Sequence, residues 1–271
     1  MSAVDDLFAQ LKARGEKAFI PFITAGDPSL ETTSRVLQSL VSQGAHMCEV
    51  GIPYSDPIAD GPVIQASYTR VLEDGIRLEQ ILQMLRETTP SLKAPVLTMV
   101  SHAIVYRRGM AEYVETAKEA GVAGLIVPDL PVEESGELQA ICRSADMSLI
   151  QLITPNTPPA RTEQIIAATS GFIYYVSVVG ITGERQSLPD ELVKNVESLR
   201  AKTSLPICIG FGISTPEHIR MLAPVADGMI VGSAIVKRLS KASRSASQDD
   251  SKALEEVEAY AKTLTSALAS C

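Results

Sequence analysis

The chain is predicted to be an α/β protein, a single (β/α)8 TIM barrel with an extra N-terminal helix and an extra helix after strand 2. Three observations predict it. The length of 271 residues suits one such barrel built around one core. Eight short runs of β-branched and apolar residues recur along the chain, and amphipathic stretches separate them, the alternation of βαβ units around a parallel sheet. One domain spanning 1–271 is therefore expected.

The eight runs are AFIPFITA (18–25), HMCEVGIP (46–53), APVLTMVS (94–101), GLIVPDL (124–130), MSLIQLIT (147–154), GFIYYVSVVG (171–180), LPICIGFG (205–212) and DGMIVGSA (227–234). Between them lie helical patterns such as 28–44 and 214–224, where Pro216 suits a first helical turn. Residues 54–93 are too many for one helix and hold the loop SDPIADGP and two helical patterns. The Ser-rich stretch 240–251 lacks apolar periodicity and is read as an exposed loop before a last helix.

Composition excludes several function classes. Hydrophobic residues at 45% and charged residues at 21% fit a globular core rather than disorder. The longest apolar runs fall far short of the roughly 20 residues that span a bilayer. Residues 1–17 mix charged and apolar groups, unlike a signal peptide, so a cytoplasmic location is expected. A net charge of −8 with no local Lys/Arg cluster repels a nucleic-acid backbone. Cys48, Cys142, Cys208 and Cys271 are scattered and read as free thiols.

Barrel enzymes place chemistry at the carboxyl ends of their strands. There the chain carries TAGD (24–27), GIPYSDPIADGP (51–62), GITGER (180–185), GFGIS (210–214) and Gly232–Ser233. Glycines after strands seven and eight suit phosphate, because bare backbone amides and a helix start offer donors and positive potential. Gly212, Gly232 and Ser233 fit that role, against the plainer reading of tight turns. Gly183, beside Thr182, adds a possible amide from a lid.

Glu49 lies within an otherwise apolar strand, on the same side as Met47 and Gly51. If that side lines the barrel mouth, desolvation raises its pKa and poises it for proton transfer near neutrality. The competing readings are a structural ion pair and an outward-facing side chain. Asp60, in the following loop, supplies a second carboxylate and a division of labour. No strand carries a lysine near its carboxyl end, as a Schiff-base aldolase requires. His46, His102 and His218 are dispersed, so no metal site is expected; His102 alone reaches the active face, and reads as pocket wall.

PFITAGDPS (21–29), EVGIPYSDPIADGPVIQ (49–65), VPDLPVEES (127–135), GITGER and GFGIS resemble the tryptophan synthase alpha chain family, over about residues 4–239. The segment joining Glu49, Asp56 and Asp60 is the most specific. The resemblance implies retro-aldol cleavage of indole-3-glycerol phosphate to indole and glyceraldehyde 3-phosphate with no cofactor. The partner it implies is a pyridoxal-phosphate-dependent beta chain, in an alpha2-beta2 heterotetramer. It assigns both proton transfers to Glu49 and stabilisation of charge at the indole nitrogen to Asp60. It places Phe22, Ile64, Ile126 and Tyr174 around the indole, and Gly183, Gly212, Gly232 and Ser233 around the phosphate; core packing is the competing reading for Phe22 and the isoleucines. Asp56, in a loop joined to the Glu49 strand, is expected to dock the beta chain. Departures from the family pattern are Val100, His102, Val178 and the insertion at 240–251. The alternatives are a stand-alone lyase releasing free indole, another phosphosugar barrel isomerase or epimerase, and an inactive barrel that only activates a partner.

Overall fold

The computed structural model describes residues 2–57, 60–176, 191–210, 212–241 and 250–271. Eight parallel strands close a barrel in chain order, the eighth pairing back to the first. They are β1 (Ala18–Thr24), β2 (Cys48–Gly51), β3 (Val96–Met99), β4 (Val122–Ile126), β5 (Ser148–Ile153), β6 (Ile173–Val176), β7 (Ile207–Gly210) and β8 (Gly228–Val231). Seven overlap the apolar runs closely. β4 does not: it begins two residues before the expected 124 and stops at Ile126. Residues 127–130 instead make a turn, with Leu130 N–H donating to the Val127 carbonyl at 3.2 Å. Pro128 has no N–H to offer a ladder, and the Asp129 side chain is bonded to Ser101 Oγ and the His102 amide.

The helices are α1 (Ala3–Arg14), α2 (Leu30–Ser42), α3 (Pro62–Glu73), α4 (Leu78–Thr88), α5 (His102–Arg108), α6 (Met110–Glu119), α7 (Gly136–Ser144), α8 (Pro159–Ala168), α9 (Leu192–Arg200), α10 (Pro216–Leu222), α11 (Ser233–Leu239) and α12 (Ser251–Ala269). The expected extra helices are α1 and one of the pair α3 and α4. The connection from β3 to β4 is also doubled, because Gly109 at φ +90 ends α5 and opens α6. Caps fix the starts: Ser29 Oγ accepts from Thr32 N–H, Thr215 Oγ1 accepts from His218 N–H, and prolines begin α3 and α10.

Each strand reads as a continuous apolar run because both faces are covered. Alternate residues sort into two layers. Ile23, Val50, Val96, Leu125 and Ile209 pack outward against helices. Ile20, Phe22, Met47, Leu97, Ile126, Ile150, Tyr174, Cys208 and Ile230 fill the interior. Val4, Phe8 and Leu11 of α1 join the interior set, with the Phe8 and Phe172 rings 5.6 Å apart. α1 thus packs on the barrel interior, and each aliphatic side chain so buried stabilises the fold by roughly 1.5–3 kcal/mol.

All four cysteines are free thiols, three of them buried. No helix among the described residues is long and apolar enough to cross a membrane.

Candidate active site

Strand register puts Glu49 of β2 between Phe22 of β1 and Leu97 of β3, and all three side chains point into the barrel. Glu49 is fully buried, and neither carboxyl oxygen has a hydrogen-bond partner among the described residues. Burial first, and the nearby Asp60 second, push its pKa from the ordinary 4.5 up to about 8. Among the described residues no cation pairs with Glu49, and its side chain points away from the outer helix-facing layer.

Asp60 is buried in the loop between β2 and α3, and burial lifts its pKa to about 6. Its place is fixed by a residue that carries no local signal of such a role. The Gln65 Nε2 amide donates to the Asp60 carbonyl at 2.8 Å and to the Pro57 carbonyl at 3.2 Å. One side chain on the first turns of α3 therefore holds both ends of the segment carrying Asp60.

α3 is in turn tied to the end of β1. Ser67 Oγ donates to the Ile64 carbonyl at 2.7 Å, so at 2.6 Å it accepts from Thr24 Oγ1. Arg70 grips buried Asp27 with two bonds, Nε to Oδ1 at 3.1 Å and Nη2 to Oδ2 at 2.5 Å. Such a fork fixes orientation as well as distance. Ile64 and Tyr68, one turn apart on α3, consequently face the interior beside Phe22.

Phe22, Ile64, Ile126 and Tyr174 all fall in the interior apolar cluster with Glu49 among them. Phe22 spans the mouth. A Cβ built on Gly232 would lie 3.4 Å from its Cβ, and one built on Gly51 would lie 2.5 Å from its Cζ. The ring therefore links the end of β8 to the end of β2, and Gly51 has no room for any side chain. Tyr174 presses against Gly210 in the same manner, and the charges of Glu49 and Asp60 add to burial in raising its pKa far above the ordinary value.

Gly232 precedes α11 and Ser233 is its first residue, directly after the end of β8. Gly212 follows β7 with φ +80, a conformation that favours glycine. The next turn is held from outside: Tyr260 Oη of α12 donates to the Ser214 carbonyl at 2.8 Å, and Arg238 of α11 stacks 3.6 Å over the Tyr260 ring.

Asp56 is exposed and accepts from Ser55 Oγ at 2.5 Å. His102 opens α5, near the exposed Tyr106 ring. Gly183, Thr182, Val178 and most of the Ser-rich stretch lie outside the described residues. Among the described residues no group of three or more His, Cys, Asp or Glu could hold a metal ion.

Comparison with known proteins agrees along nearly the whole chain. The family model for the tryptophan synthase alpha chain matches residues 8–268, so the match continues beyond residue 239 through α12. The tryptophan synthase alpha chain of Rhodopirellula baltica is 54% identical over 245 residues, covering 89% of this chain and 88% of that protein. The Arabidopsis thaliana alpha chain is 44% identical over 268 residues, covering 98% and 96%. The crystal structure of tryptophan synthase subunit alpha from Legionella pneumophila is 33% identical, superposes with a TM-score of 0.90 and is covered, like this chain, in full.

The raised carboxyl at Glu49 costs stability in a defined pH window. A carboxyl whose pKa is raised in the folded state stabilises the fold fully below its unfolded value of 4.5, and that contribution is lost as pH rises through about 8. Urea midpoints measured at about pH 5 and about pH 9 should therefore fall in the parent and fall less in Glu49→Gln. Parallel declines in the two proteins would place the Glu49 titration at its ordinary value.

Proposed function

Because the chain belongs to the tryptophan synthase alpha chain family, whose members cleave indole-3-glycerol phosphate to indole and glyceraldehyde 3-phosphate, we propose that Glu49 makes both proton transfers of that cleavage and Asp60 carries the balancing charge. The observation that supports this reading is the fully buried Glu49 carboxyl, without a hydrogen-bond partner among the described residues and with its pKa at about 8, against about 6 for Asp60. At pH 7 Glu49 then holds a proton while Asp60 is ionised, two carboxyls set apart by environment.

The Glu49 carboxylic acid gives its proton to the ring carbon bearing the glycerol chain, and the Asp60 carboxylate stabilises the cation that spreads to the indole nitrogen. The Glu49 carboxylate next takes the proton of the adjacent glycerol hydroxyl. As that O–H bond breaks, a carbonyl forms, and the bond between indole and glycerol breaks with its electron pair returning to the ring. Indole and the aldehyde leave, and Glu49 is protonated again. Phe22, Ile64, Ile126 and Tyr174 wall the indole and keep water from the ring.

In this reading the amides of Gly212, Gly232 and Ser233, with Gly183 from the loop after β6, hold the phosphate. No cofactor serves the alpha chain, and pyridoxal phosphate belongs to the beta chain with which it forms an alpha2-beta2 heterotetramer. Exposed Asp56 docks that chain, and the loop shared with Asp60 couples docking to the site.

Glu49→Gln keeps the shape of the side chain but cannot exchange protons. It should lower turnover by at least about 10²-fold with substrate affinity within about tenfold, whereas Ser233→Asp should weaken affinity by setting an anion against the phosphate. Turnover of Glu49→Gln above about a tenth of the parental rate would hand the proton transfers to another group. For the partner, Asp56→Ala should lose more of the stimulation by added beta chain than of basal cleavage. Equal losses in both assays would remove its coupling role.

A further inference from the structure

Tyr68 has no part in the reaction as derived, yet the fold takes trouble to place it. Its side chain is fully buried and its hydroxyl has no partner among the described residues. Leaving a buried hydroxyl unpaired is costly, so native proteins seldom do so without a use for the group. The buried hydroxyls of Thr98, Tyr113 and Tyr175 are elsewhere, Tyr113 beside Thr98 and Tyr175 beside Asn195: Tyr113 and Tyr175 belong to the outer layer, and Thr98 alternates with the inward Leu97 and Met99. Among the described residues, only Tyr68 and Glu49 leave buried side-chain oxygens unpaired within the barrel interior.

The two oxygens converge. A Cβ built on Gly51 would lie 2.5 Å from the Tyr68 hydroxyl, and Gly51 follows Glu49 by two residues on the same inward side of β2. The phenol therefore stands one layer above the Glu49 carboxyl, toward the mouth, and Phe22 Cζ is equally close, 2.5 Å, to the same Cβ position of Gly51. Burial, then the charges of Asp60, Tyr54 and Glu49, hold the phenol far above its ordinary pKa, so it is neutral and keeps its proton to donate. The Tyr54 ring packs on it at 5.6 Å. Its neighbours on α3 leave little play, because Ser67 is bonded to Thr24 and Arg70 to Asp27.

We propose that Tyr68 is a third catalytic residue of the cleavage, donating its O–H to the glycerol hydroxyl oxygen from which Glu49 removes the proton. The inference rests on the role given to Glu49. As that proton leaves, negative charge grows on the oxygen before the carbonyl is complete, and a fixed donor in a dry site stabilises it. The phenol transfers no proton; its bond strengthens in the transition state and relaxes when the neutral aldehyde forms.

Tyr68→Phe removes the hydroxyl and keeps the ring that packs against Phe22 and Tyr54. With indole-3-glycerol phosphate as substrate, kcat should fall on the order of 10²-fold, KM should stay within about threefold, and the limb of the pH profile near 8 should not move. A kcat within about threefold of the parent would overturn the proposal, as would a loss carried equally by KM and the urea midpoint, which would make the phenol a packing group. Movement of the limb by half a unit or more would overturn it too, by showing that the phenol bonds Glu49 rather than substrate. Failure of the Glu49 assignment is separately visible, since Glu49→Gln would then cleave at near the parental rate whatever Tyr68→Phe does.

Discussion

A carboxyl group buried without a partner is costly, and among the described residues the barrel interior holds one in that state, Glu49. Glu49 gives up water for an apolar interior, with Phe22 and Leu97 on the adjacent strands and Met47 a layer below. Moving an ionised carboxylate into such a place costs far more than a domain can spare, so the group takes a proton instead. The rise of its pKa to about 8 is that adjustment. It converts a liability of folding into an acid available at neutral pH.

The second carboxyl is handled differently, and the contrast makes the chemistry directional. Asp60 sits in a loop, less deeply buried, with a pKa of about 6. The Asp60 charge adds to burial in disfavouring ionisation of Glu49, and the deeper burial of Glu49 keeps the proton there. In the proposed cleavage the acid starts the reaction, and the anion meets the cation that results. Rigid support matters because a misplacement of about 1 Å can cost two orders of magnitude in rate. Gln65 clamps the Asp60 segment, and the Thr24–Ser67 and Arg70–Asp27 contacts lock α3 to β1. Gly51 and Gly210 leave the space that Phe22, Tyr68 and Tyr174 occupy.

Much of this was legible in the amino-acid order. Eight buried strands announce themselves as apolar runs, and a lone glutamate inside one of them is an anomaly that asks for a reason. β4 was displaced because Val127 and Leu130 are as apolar as strand residues, and only the turn through Pro128 and Asp129 tells them apart. Tyr68 was invisible for a different reason: on an amphipathic helix an aromatic residue at i+4 from Ile64 reads as core, and its hydroxyl gains meaning only through Gly51 on a distant strand. Gln65 was equally ordinary, since an amide on a helix names no acceptor until the loop folds back on it. Long-range polar geometry is what local periodicity does not encode.

The central claim is the protonation state of Glu49 in the resting chain, and the carboxyl itself reports it. Infrared difference spectra between parent and Glu49→Gln, taken across pH, isolate the carbonyl stretch of the protonated group. That band should persist through neutral pH and disappear with a midpoint near 8. A midpoint near the ordinary carboxyl value of 4.5 would contradict the account, because Glu49 would then enter the reaction already ionised and could not act as its first acid.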